Sequence, residues 1–167
     1  MTFHHHEVVG ARMTRERLNA LRYPHEDVQV VTKLVELHLR FHTYRLGWTD
    51  RAVRRYVRDA GPLLDRLNEL TRSDCTTRNA ARARALERRM DELERRIAEL
   101  REKEELESLR PELDGVQVME HLGVPPGPVV GQALGFLMEL RLDEGPLGED
   151  EAYRRLDAWW AERQSSG

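Results

Sequence analysis

Apolar positions along the chain recur at helical spacing almost everywhere, and no segment shows the period-two alternation of a half-buried strand. The spacing predicts a first helix over about 5–21, with Val9, Met13, Leu18 and Leu21 on a loose apolar stripe. Tyr23-Pro24 ends it, because the residue before proline is pushed out of the α region. A second helix, over about 25–44, carries two apolar rows. One is Val28, Val31, Val35, His38 and His42; the other is Val30, Leu34, Leu37 and Phe41. Two rows imply burial over much of the circumference and a central place in a bundle, with His38 and His42 one turn apart on the same face.

After Leu46-Gly47, Thr49 is a suitable N-cap for a helix containing Val53, Tyr56 and Val57. Gly61-Pro62 stops that helix and opens another through Leu63, Leu64, Leu67 and Leu70. Leu86, Met90, Leu93, Ile97 and Leu100 then form a narrow 4-3-4-3 seam within a long helix, or a hairpin bent near residue 104 where the seam breaks. Pro111 ends that segment, and three shorter helices are expected over about 115–121, 128–143 and 149–163. Prolines 125, 126 and 128 stiffen the turn between the first two. Gly127 is read there as permitting a tight turn, and Gly131 as letting two helices approach closely. The expected fold is all-α: a multi-helix bundle with a long central helix or helical hairpin and a small C-terminal helical lobe, divided at about 76/77.

Composition agrees with solvated helices, at 34% charged and 40% hydrophobic residues. There is no run of 18 apolar residues, so no bilayer span is expected. The lone Cys75 excludes an internal disulfide and a cysteine-based zinc site, and fits a reducing cytoplasm. The net charge of −3 means that any nucleic-acid binding must come from a local patch. The stretch 72–96 provides one: arginines 72, 78, 82, 84, 88, 89, 95 and 96 against Asp74, Glu87, Asp91, Glu92 and Glu94, a local net of +3. Guanidinium groups suit phosphate oxygens, although the same stretch also reads as a helix laced with i,i+4 ion pairs. Candidate phosphate contacts are Arg72, Arg78, Arg82, Arg84, Arg88 and Arg89, with Arg78, Arg82 and Arg84 standing where acids are scarcest.

A second constellation is Phe3-His4-His5-His6-Glu7 with His38 and His42. Neutral imidazoles bind transition metals, so His4, His5, His6, His38 and His42 are candidate ligands; core or surface packing is the alternative. No Walker-type phosphate loop, Gly-x-Ser-x-Gly elbow or paired aspartates on a strand is present, so no self-sufficient active site is visible.

Three blocks, in this order, resemble the C-terminal portion of bacterial CCA-adding enzymes and poly(A) polymerases of the high-GC Gram-positive kind. They are Phe3 through Ala11, Arg72-Ser73-Asp74-Cys75-Thr76-Thr77-Arg78-Asn79, and Leu113-Asp114-Gly115 through Val124-Pro125-Pro126-Gly127-Pro128-Val129-Val130-Gly131. The resemblance implies that residues 1–76 are the second half of an HD-like helical domain and that 77–167 are a helical RNA-binding tail. It implies tRNA as partner, held by its acceptor arm and elbow backbone, and no membrane. It also implies a nucleotidyltransferase head, using Mg with ATP and CTP, that this sequence does not contain, so that the chain alone is expected to be inactive. His4, His5 and His6 match the later histidines of HD phosphohydrolases; the His-Asp pair is missing, and 37–42 offers histidines where a final Asp is expected. Binding would require no cofactor, and a residual divalent-metal site is the most the histidines are expected to hold. Met1 stands where the family usually has valine, which suggests a start placed inside a longer frame. A degenerate metal-dependent phosphohydrolase, or a dimerisation module using the 86–100 seam, are the alternative functions. Homo-oligomers through exposed apolar helix surface are a further expectation.

Overall fold

The computed structural model describes residues 6–44, 47–73, 80–106 and 109–165. Among these, every regular element is a helix, as the periodicity predicts. They are α1 (His6–Ala20), α2 (His25–Leu37), α3 (Arg40–Thr43), α4 (Asp50–Ala60), a 3-10 turn (Gly61–Leu63), α5 (Leu64–Ser73), α6 (Ala80–Lys103), α7 (Gly115–Leu122), α8 (Pro128–Glu144) and α9 (Glu149–Ser165). The chain forms two compact units, Met1–Glu102 and Lys103–Gly167. Compactness thus divides the chain later than the change of character expected at 76/77, which falls outside the described residues. The reason is the α6 seam: Met90, Leu93, Ile97 and Leu100 are all buried, so nearly the whole helix belongs to the first unit. Where the seam breaks, α6 ends; it does not continue through a bend.

In the first unit, local signals set the helix ends. The Thr49 hydroxyl accepts from the Ala52 N–H at 3.2 Å, capping α4. Gly61 closes α4 at φ 52°, a left-handed conformation that glycine adopts without steric cost. The core is aromatic: Trp48 packs against Phe41, Tyr44 and Tyr56 with ring centroids 5.3, 5.0 and 5.5 Å away. The Tyr56 hydroxyl, deeply buried, donates to Asn68 Oδ1 at 2.9 Å. Burial pushes its pKa up, so it stays a neutral donor.

Three expectations fail here. The helix over 25–44 is broken, with α2 ending at Leu37 and α3 starting at Arg40. At the break the His38 Nδ1 donates to the Val35 carbonyl, competing with the backbone ladder, and the His42 N–H bonds the Leu39 carbonyl three residues back. Nor are both apolar rows buried throughout: Val28, Leu37 and Phe41 are, but Val31 is exposed. The stripe assigned to α1 is likewise turned outward at Val9, Met13 and Leu21. Small residues set this packing. Ala11 is buried, and a side chain at Gly10 would start 3.4 Å from Val35 Cγ1, so α1 approaches α2 through its smallest positions.

The second unit has its own core of Leu113, Val118, Val130, Ala133, Leu137, Ala152 and Leu156. Asp114 and Gln117 form a reciprocal capping box at the start of α7. Gly123 ends α7 at φ 63°. Pro128 occupies the first turn of α8, where its missing N–H costs nothing. Gly123, not Gly127, makes the left-handed turn: Gly127 is extended, at φ 171°. A side chain at Gly131 would meet nothing within 4 Å, so no helix approaches closely there. Glu112 Oε1 accepts from Arg141 Nη1 and from the Leu147 N–H, both at 3.0 Å, fastening the segment before α7 to the α8–α9 connection.

Leu156→Ala should therefore lower stability by about 2–5 kcal/mol, because the fully buried side chain leaves a cavity. Val116→Ala, at an exposed site, should stay within about 0.5 kcal/mol. Urea unfolding followed by circular dichroism distinguishes the two.

Candidate nucleic-acid interface

The arginines of α6 divide into two stripes by helical phase. At 3.6 residues per turn, Arg82, Arg89 and Arg96 flank the buried seam, while Arg84, Arg88 and Arg95 lie on the side away from it. Burial agrees for five of the six: Arg89 and Arg96 are half-buried and Arg84, Arg88 and Arg95 are exposed, while Arg82 is exposed although it flanks the seam.

The inner stripe holds the fold. Arg89 Nη2 donates to the Tyr44 carbonyl at 3.0 Å, and its guanidinium sits 4.8 Å from the centre of the Phe41 ring. Trp48 Nε1 donates to the Arg89 carbonyl at 3.2 Å. Arg96 Nε donates to the Trp48 carbonyl at 3.2 Å; its other nitrogens bond Asp50 and, at 2.7 Å, Glu99. Arg72, on α5, is also engaged: Nη2 donates to Asp91 Oδ1 and Glu94 Oε2, each at 2.8 Å. Those two carboxylates raise its pKa further, which leaves its charge compensated although the side chain is exposed.

The outer stripe is different. Among the described residues neither Arg84 nor Arg88 has an ion-pair partner, while Arg95 bonds Glu99. Arg82 is exposed and has a partner. Ala80–Leu86 contains no acid, so the positive end of the helix dipole is uncompensated by its own first turns. Arg84 and Arg72, with Ala83, Leu86, Glu87 and Met90, line an open groove of about 370 Å³. Of the six arginines the sequence singles out, Arg82, Arg84 and Arg88 thus stand on α6 facing solvent. Arg72 is tied to acids and Arg89 to backbone, while Arg78 lies outside the described residues. Arg95, absent from that set, shares the outer face; its i+7 relation to Arg88 is the sequence signal for it.

The histidines do not come together in what is described. His4, His5 and the side chain of His6 lie outside the described residues. His38 and His42 fall on either side of the break between α2 and α3. His38 is engaged with Val35, and His42 meets the Phe41 ring edge-on at 5.4 Å. Among the described residues, no group of three or more His, Cys, Asp or Glu side chains is arranged to hold a metal ion. The 86–100 seam, offered by sequence as a dimer contact, is spent on the chain's own core from Met90 to Leu100.

An all-helical, two-unit chain with an arginine face on its longest helix is the class these observations define. Comparison with known proteins makes this specific. The chain is 34% identical, over 96% of its length, to an A-adding tRNA nucleotidyltransferase of Deinococcus radiodurans. It is 36% identical, over 97% of its length, to a CC-adding tRNA nucleotidyltransferase of Thermus thermophilus. It spans only 36% and 35% of those two proteins. No family model matches, and neither does any solved structure. The resemblance read from the sequence is upheld: the chain is similar to tRNA nucleotidyltransferases over nearly its whole length and about a third of theirs. No described helix is long and apolar enough to cross a membrane.

Arg89→Ala should cost about 2–4 kcal/mol, since it strands the Tyr44 carbonyl and removes the cation from the Phe41 face. Arg88→Ala, one residue away on the outer stripe, should change stability by less than about 0.5 kcal/mol. Thermal melts of the two variants test the division of α6 into a structural and a free face.

Proposed function

We propose that the chain is a tRNA-binding helical body that works with a nucleotidyltransferase head, as in CCA-type end addition. The outer stripe of α6 carries this reading. Arg84 and Arg88 are solvent-facing and without acidic partners among the described residues, on a helix whose first turns hold no acid. The names of the two relatives supply the partner, since both act on tRNA.

The mechanism is positioning by electrostatics. Guanidinium groups one helical turn apart meet successive phosphates of an RNA backbone and release their counterions, with little reading of bases. The inner stripe pins α6, so the outer arginines are presented from a fixed helix at little entropic cost. This role accommodates a net charge of −3, because two of the acids of 87–94, Asp91 and Glu94, are bonded to Arg72. It needs no metal of the chain's own and implies a cytoplasmic protein.

Titrating tRNA at two salt concentrations tests the proposal. Affinity should fall steeply with salt, and Arg84→Ala with Arg88→Ala should flatten the log–log salt slope by about 2 while helicity and melting stay unchanged. Absence of tRNA binding by the unaltered chain at both salts would sink it.

A further inference from the structure

The second unit carries an aromatic strip that its core does not explain. Phe136 on α8 stacks with Trp159 on α9, their ring centroids 5.7 Å apart and their planes 20° from parallel. Trp159 stacks in turn with Trp160, at 6.1 Å and 26°. The Arg163 guanidinium lies 5.5 Å from the centre of the Trp159 ring. Phe136 and Trp159 rest against the core of Leu137 and Leu156, but Trp160 continues the strip beyond the residues packed on that core. It stays half-buried on the stripe of α9 that also carries Tyr153, seven residues earlier.

Near-parallel rings ending in a half-exposed indole, with an exposed guanidinium beside them, have the composition of a base-stacking platform. A nucleobase offers a flat π face of matching size, and its phosphate offers the charge that Arg163 complements. A lipid surface or an apolar peptide would gain little from the parallel arrangement, and α9 is otherwise strongly charged, with Glu149, Asp150, Glu151, Arg154, Arg155 and Asp157 along it. We infer that Trp160, backed by Trp159 and Phe136 and flanked by Arg163, stacks an unpaired or terminal base of bound RNA. The inference rests on the RNA-binding reading above but concerns a different surface and a different kind of contact. Phosphate contacts on α6 would set salt-dependent affinity, whereas stacking on α9 would fix where along the RNA the second unit sits.

The experiment uses the full chain, whole tRNA and a short single-stranded oligoribonucleotide, with Trp160→Leu and Trp160→Phe variants. Stacking predicts that Trp160→Leu weakens tRNA binding by roughly 10- to 100-fold with the salt slope unchanged, while Trp160→Phe stays within about threefold. It also predicts that either RNA quenches indole emission in the unaltered chain and that Trp160→Phe removes most of the quenching, a readout that survives if Trp160→Leu fails to fold. Normal tRNA binding with no loss in Trp160→Leu and no quenching overturns the platform and leaves the α6 reading standing. Quenching by the oligoribonucleotide without tRNA binding supports the platform and overturns the tRNA reading. Neither binding nor quenching overturns both.

Discussion

The organisation of the first unit depends on one reciprocal contact: Trp48 donates to the backbone of α6 at Arg89, and Arg89 and Arg96 donate back to the carbonyls of Tyr44 and Trp48. Tyr44 and Trp48 both lie outside the helices, where no helical ladder satisfies their carbonyls. Two guanidinium groups from another helix do so instead. The aromatic cluster alone would hold α6 by non-directional burial, which tolerates rotation about the helix axis. Hydrogen bonds to fixed carbonyls do not tolerate it. They set the phase of α6, and the phase decides which arginines are structural and which meet solvent.

The second unit solves the same problem with different parts. Its helix ends are fixed locally by the Asp114–Gln117 capping box, the left-handed Gly123 and the Pro128 start of α8. Arg141, with only 11% of its side chain exposed, is engaged by Glu104 and Glu112, and the second of these also receives the Leu147 N–H. A guanidinium that deep would be costly without its carboxylates, so this set ties Glu104 and Glu112 to α8. On that frame α9 can be polar along most of its length and still present a short aromatic strip.

Helix ends were legible in the sequence because their signals are local. Thr49, Gly61-Pro62 and the proline run act within a few residues of themselves, and α4, α5 and α8 lie where these place them. Burial in α1 and α2 was not legible. Val9, Met13 and Val31 fit an apolar stripe, yet which stripe is covered depends on the neighbouring helix, and there the small pair Gly10 and Ala11 won over bulk. The break at His38 was hidden for a similar reason, since a histidine bonding the carbonyl three residues back looks in sequence like any helical residue. For the arginines, sequence showed the patch and its net charge but not the partition. Helical phase would have revealed it, because Arg84, Arg88 and Arg95 stand opposite the Met90–Leu100 seam while Arg89 and Arg96 flank it. What phase could not supply is Arg72, whose acids lie on another helix.

On the proposed reading, this partition limits what the arginine face can contribute to RNA binding. A basic stretch of eight arginines suggests many phosphate contacts, yet three of them, Arg72, Arg89 and Arg96, are committed to acids or backbone, and Arg95 shares its charge with Glu99. On that reading, Arg84 and Arg88 on one helix face would give the weak, position-blind attraction typical of backbone contacts alone, with Kd on the order of 10⁻⁴ to 10⁻⁶ M at physiological salt. An enzyme that extends one end of an RNA must hold it in one register, which sliding phosphate contacts do not enforce. On the proposed reading, register must come from contacts that fit only one place on the RNA, and an aromatic platform at a distinct surface supplies such a constraint without adding charge. The arginine stripe would then govern whether RNA is bound, and the second unit where.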